Sequence, residues 1–126
     1  MSTYPASEII AKTRAIANEV AAQHAAEVDR EARFPRETFE ALRQARLLST
    51  AVPKELGGGG ADMRELSAMC AALAQGCASS GMVLAMHHIQ VACIARHGLD
   101  LPFFRKYLED DDARLHALIR AQGRKD

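Results

Sequence analysis

Four glycines in succession, Gly57 to Gly60, follow Val52-Pro53-Lys54-Glu55-Leu56 and precede a helix-forming stretch. In that setting backbone N–H groups can cradle a phosphate. A phosphate loop also needs Gly-Lys-Ser/Thr after the glycines, and a dinucleotide loop needs a strand ahead of them. Neither is present, so a tight inter-helix turn is the expected structure. Cys93 and His97 lie one helical turn apart with His87 and His88 upstream, which is raw material for a metal site. No His-Glu-x-x-His or Cys-x-x-Cys accompanies them. Adjacent His87 and His88 point about 100° apart on a helix and cannot chelate one ion together. The reading is therefore no metal, with one of the two imidazoles facing the core or a pocket and the other solvent. A metal or small-ligand bundle using Cys93, His97 and a neighbouring His is kept as the lesser alternative.

Ser79-Ser80 stands in no nucleophile motif with a His and a carboxylate and reads as a helix cap. Met82, Met86 and Ile89 make an apolar stripe at helical spacing. In an ordinary domain such a stripe is core. Met also lines adaptable apolar pockets, so the same stripe can wall a ligand site if its cover is another domain.

The elements that carry these residues are helical nearly throughout, because β-branched and aromatic residues are sparse. From Ser7 to Val28 an apolar stripe of Ile9, Ile16, Val20 and Ala21, completed by Thr13 and His24, predicts one amphipathic helix. Phe34-Pro35 breaks it and opens a shorter helix that carries Phe39 and Leu42 inward to about Ala45. Leu47 to Pro53 reads as an extended or turn segment. Asp62 followed three residues later by Glu65 is a capping-box start, for a helix burying Met63, Leu66, Met69, Cys70, Leu73 and Cys77. The next helix runs to His97 and is stopped by Gly98. It is apolar on most of its circumference, through Met82, Val83, Leu84, Met86, Ile89, Val91, Cys93 and Ile94, and so calls for cover on all sides. Pro102 opens a short segment, and Arg114 to Arg120 carries Leu115, Leu118 and Ile119 at helical spacing.

The fold class is thus all-α, a helical bundle of about five to six helices. Residues 1–108 form the helical domain and 109–126 a polar C-terminal extension. With 126 residues, one domain fits, and it can bury a core without disulfides or metal. Sixteen basic against 16 acidic side chains leave no excess of Lys and Arg for a phosphate backbone, which excludes a nucleic-acid binder. The start carries no basic region followed by an apolar one, and the longest apolar stretch, Gly81 to Ala95, is shorter than the ~20 residues that span a bilayer. A cytoplasmic chain with no membrane partner is the expectation. Cys70, Cys77 and Cys93 are an odd set inside apolar helical patterns and read as reduced, buried thiols.

The series as a whole is distinctive. A long helix leads to Val28-Asp29-x4-Phe34-Pro35-x3-Phe39-x2-Leu42. Leu47-Leu48-x3-Val52-Pro53-x-Glu55-x-Gly57-Gly58-x-Gly60 follows, then a capped helix, Cys77-Ala78-Ser79-Ser80, and a helix with His87 and His88. Over approximately residues 6 to 108 this resembles the N-terminal α-helical domain of the acyl-CoA dehydrogenase family, including its flavin-dependent monooxygenase-like relatives. The resemblance implies a subunit of three parts: this domain, a middle β-domain and a C-terminal helical domain, assembled as a homo-oligomer. It implies FAD held between the latter two, and a catalytic carboxylate in the C-terminal half that removes the α-proton of an acyl-CoA. The chain is then expected to be truncated, to bind no FAD stably on its own and to be inactive alone. Its partners would be the missing β-domain and C-terminal domain, and an acyl-CoA or related small molecule. By the same resemblance Met82, Met86 and His87 are substrate-pocket residues.

Two departures stand out. Arg46 occupies a position where many relatives place Gly before the Leu-Leu pair, so it must either continue the helix or accept strain. Leu118-Ile119-Arg120-Ala121-Gln122 lacks the family's Thr-Glu or Ser-Glu pair. The alternative reading of the whole chain is a stand-alone helical module that buries its apolar helix by self-association.

Overall fold

The computed structural model describes residues 8–109, and among them every regular element is helical. α1 (Glu8–Ile16), a π-helical stretch (Ala17–Ala21) and α2 (Ala22–Glu31) run on as one rod over residues 8–31, about 36 Å long at 1.5 Å per residue. α3 (Arg36–Gln44), α4 (Met63–Gly76), α5 (Ala78–His97) and α6 (Pro102–Glu109) follow, with a single 3-10 turn, Lys54–Leu56, between α3 and α4. The all-α bundle is as the sequence predicts. The Arg114 to Arg120 segment lies outside the described residues.

The rod extends three residues beyond Val28 and buries Thr13, Ala17, Ala21 and Val28 along one line. Positions four apart drift around an α-helix, and the wider π winding cancels that drift between Ala17 and Ala21. Small residues on this line let α4 come close. A Cβ placed on Gly76 would stand 2.3 Å from the Ala17 carbonyl oxygen, so only a residue without one fits there.

Both α2 and α3 end in Schellman turns whose left-handed position lacks a glycine. At the first, Ala32 has φ 49°, with Ala32 N–H donating to Asp29 O and Arg33 N–H to Val28 O. At the second, Arg46 has φ 57°, with Arg46 N–H donating to Arg43 O and Leu47 N–H to Leu42 O. Arg46 therefore accepts the strain rather than continuing the helix. Between the turns, Arg33 straps α2 to α3. Its guanidinium meets both carboxylate oxygens of Glu37 at 3.0 Å, Glu27 at 3.2 Å and the Phe34 carbonyl at 3.1 Å. This pairing lowers the Glu37 carboxyl below its usual range. Phe34 then stacks obliquely on Phe39, ring centres 5.3 Å apart.

The core gathers Phe39, Leu42, Leu48, Met69, Leu73 and Leu84, all fully buried. α4 lies at its centre, against α5, α1 and the π stretch. Its capping box is present as the sequence indicates: Glu65 N–H donates to Asp62 Oδ1 at 2.9 Å and Asp62 N–H to Glu65 Oε2 at 3.2 Å. Met63, expected inside, is exposed because it opens the first turn ahead of the packed face. A single extended residue, Cys77, joins α4 to α5.

Replacing either strained residue by glycine, Ala32→Gly or Arg46→Gly, should raise stability by roughly 1 kcal/mol, the left-handed penalty of a residue with a Cβ. Gly76→Ala should lower it by roughly 1–3 kcal/mol, because backbone must move to admit the methyl. Urea unfolding midpoints of the three variants check both directions. A destabilising Arg46→Gly would contradict the Schellman reading.

Candidate functional site

α5 presents two faces that differ in what covers them. Its back face, Ser80, Gly81, Leu84, His87, His88 and Val91, is buried. Its front carries Met82, Met86 and Ile89 at i, i+4 and i+7, exposed to 65%, 54% and 60%, with Cys93 continuing the line, also exposed. No acidic residue interrupts the helix. The all-round apolar character noted in the sequence thus divides into a packed half and a bare half.

The back face is fastened to the glycine-rich turn. His87 Nε2 lies 2.6 Å from the carbonyl oxygen of Leu48; a carbonyl only accepts, so Nε2 carries the proton and donates. The turn itself is closed by its own backbone. Gly58 N–H donates to Pro53 O, Gly59 N–H to Ser49 O, Gly60 N–H to Val52 O and Ala61 N–H to Thr50 O, at 2.8–3.1 Å. Residues 58–61 therefore fold back on 49–53, and a Cβ on Gly58 would stand 2.2 Å from the Val52 carbonyl oxygen. With these amides engaged, the glycines serve a tight turn rather than a phosphate.

Both imidazoles of the pair are buried, each 4% exposed, where one inward and one outward ring was expected. The two positions straddle the centre of the buried arc set by Leu84 and Val91, so a 100° separation still leaves both inside it. That i, i+3, i+4, i+7 pattern over 84, 87, 88 and 91 was the available signal. Burial, and secondarily the charge of His87, push the His88 imidazole down to about 4 from its ordinary 6.5.

Met82 and Met86 share the bare face, and His87 does not. The one-residue step from Met86 to His87 turns the ring into the core. Cys93 is exposed rather than buried because it continues the front line. Ser79 and Ser80 sit inside the first turn of α5 rather than capping it: the N-cap is Cys77, without a side-chain bond. Ser80 is fully buried, its Oγ without a hydrogen-bond partner. No group of three metal-ligating side chains occurs among the described residues, and Cys93 and His97 face away from His87 and His88. α5 is 20 residues long, more than the apolar stretch Gly81 to Ala95 suggests, and on length and composition alone could cross a bilayer. Its packed back face with two imidazoles is that of a core helix.

Against known proteins, the family model described as acyl-CoA dehydrogenase, N-terminal domain, matches residues 5–101. The chain is 35% identical over 88 residues to a 3-sulfinopropanoyl-CoA desulfinase of Paraburkholderia xenovorans, covering 69% of this chain and 23% of that protein. It is 46% identical over 56 residues to a probable acyl-CoA dehydrogenase, fadE25, of Mycobacterium leprae, covering 44% and 14%. To the mitochondrial short-chain specific acyl-CoA dehydrogenase of Bos taurus it is 34% identical over 64 residues, covering 51% and 16%. The chain thus spans less than a quarter of the length of these relatives. No solved structure matches it significantly.

Replacing His87 by Leu keeps the volume and removes the donor to Leu48, and should cost roughly 1–3 kcal/mol. Denaturant unfolding measures it. A loss no larger than that of an exposed control such as Gln90→Leu would show that the bond fastens nothing.

Proposed function

The chain belongs to the acyl-CoA dehydrogenase family, whose N-terminal domain it carries, and from that premise we propose that it supplies an acyl-pocket wall and interdomain packing surface in an FAD-dependent oxidoreductase acting on the CH–CH bond of acyl thioesters. The observation that carries this is the bare stripe of Met82, Met86 and Ile89 on an otherwise packed helix. Unbranched, polarizable methionines suit a flexible acyl chain, which needs an apolar lining that excludes water and adapts in shape. His87 supports that wall from behind by holding the Leu48 turn.

The residues described do not fit the flavin. The glycine-turn amides, the one nest of N–H groups the sequence offered for a pyrophosphate, are engaged by carbonyls of residues 49–53. Flavin, where bound in such an enzyme, accepts the hydride; the proposal assigns its holding, and the proton-abstracting carboxylate, to the β-domain and C-terminal helical domain of the family. On this reading the chain alone is inactive, works in the cytoplasm and acts within a homo-oligomer. The second reading, a self-associating helical module, is favoured by the same stripe, since exposed apolar surface of this kind marks an interface.

The isolated chain should carry no stoichiometric flavin absorbance and turn over no acyl-CoA; a yellow, active preparation would refute the inactivity. Joined to the β- and C-terminal domains of the mycobacterial relative, in place of that protein's own N-terminal part, it should retain flavin. In that hybrid Met86→Trp should raise KM for long acyl-CoAs by about tenfold or more and spare short ones, the scale on which apolar pockets discriminate. A chain-length profile indifferent to both Met82→Trp and Met86→Trp would sink the pocket-wall assignment. Sedimentation of the isolated chain over rising concentration tests the second reading, which a stable monomer contradicts.

A further inference from the structure

The turn over residues 47–61 is tied to α5 at two points. One is the hydrogen bond from His87 to the Leu48 carbonyl. The other is the small buried cluster of Val91 and Val52, with Leu56 and Ile94 packed against it. His88 follows His87 on the same buried face of the helix, its ring centre 5.6 Å from that of His87. It is 4% exposed, and neither of its ring nitrogens has a hydrogen-bond partner. A leucine would fill such a buried position without desolvating two nitrogens. What an imidazole adds there is a charge that solution pH can switch on.

We propose that His88 is an acid-operated release for the glycine-rich turn: its protonation places a buried cation beside the His87 ring that makes the first tie and drives that turn of α5 toward water, parting both ties while the core around α4 holds. Protonation adds one proton from solvent to a ring nitrogen and breaks no covalent bond.

Among the described side chains, none on the elements packed against α5 sets a counter-charge against His88. α4 carries Arg64, Glu65 and Cys70; α2 carries His24, Glu27, Asp29, Arg30 and Glu31; α6 carries Arg105 and Lys106; the turn carries Lys54 and Glu55; and α5 itself adds Arg96 and His97. Among these and His87, only His87 acts on the His88 charge, and it opposes it. The closed state thus holds His88 near 4, and the open state lets it return to its ordinary 6.5. The open state binds more protons between those values, so the closure is fully present above about pH 6.5 and weakens as pH falls through that window, by up to roughly tenfold per pH unit.

Amide hydrogen exchange on the full chain, corrected for the intrinsic pH dependence of exchange, tests this. Protection of the Gly59, Gly60 and Ala61 amides should fall about fivefold between pH 6.5 and 5.5, while the Met69 and Leu73 amides of α4 stay unchanged. In His88→Leu the turn amides should lose this dependence. An equal fall in His88→Leu, no fall in the unaltered chain, or a parallel fall in α4 would each overturn the proposal. Should His88→Leu fail to fold, NMR titration of the His88 ring in the unaltered chain decides: protonation in step with the loss of turn protection supports it, and an ordinary titration near 6.5 with the turn unmoved overturns it.

Discussion

Close approach of backbone to backbone at α4 is the constraint on which the rest of this fold depends. At Gly76 the π stretch comes close enough that a Cβ would meet the Ala17 carbonyl, and at Gly81 a Cβ would stand 2.6 Å from that of Ala74. α4 is pinned between the rod and α5 by residues too small to hold either away. The π winding follows from the same constraint, because it keeps Ala17 and Ala21 aligned beneath α4. With α4 so placed, Met69 and Leu73 fill the centre, and α5 has only one orientation in which Leu84 and Val91 are buried. That orientation turns Met82 and Met86 outward.

Features set by neighbours in the chain were legible in the sequence. Phe34-Pro35 marks a helix break, Asp62 with Glu65 marks a helix start, and the glycine run marks a turn, because each acts through backbone groups a few residues away. Arg46 is a different case: the resemblance marked the position and left open whether the helix continued or the residue took the strain, and the turn takes the strain. The misses share a different origin. Ser79 and Ser80 looked like caps because their chemistry suits that role, yet the one-residue link at Cys77 starts α5 ahead of them. Met63, Cys93 and one imidazole of the His87–His88 pair were misplaced because an apolar or amphipathic side chain fits either face of a helix, and only the packing decides which. The π stretch left no local signal; its Ala17 packs against Gly76, far along the chain.

The candidate site was half legible for the same reason. Met82 and Met86 are four residues apart and stay together whatever the register, whereas His87 depends on it. The register puts His87 on the Leu48 carbonyl. The resemblance pointed to this helix, and the packing divides its two faces. The front face is bare, and the back face holds the glycine turn.

The Cys77 link bears on the order in which this chain folds. One extended residue between α4 and α5 makes their pairing the least costly in loop-closure entropy of the major helix contacts, since entropy grows with the length of chain enclosed. The rod must close a far longer loop to reach Gly76. The helical hairpin is therefore the natural nucleus, with the N-terminal rod condensing onto it last. A chain emerging from the ribosome makes its first helices first and its nucleus second, so residues 8–31 have only α3 to pack against until α4 and α5 have been synthesised.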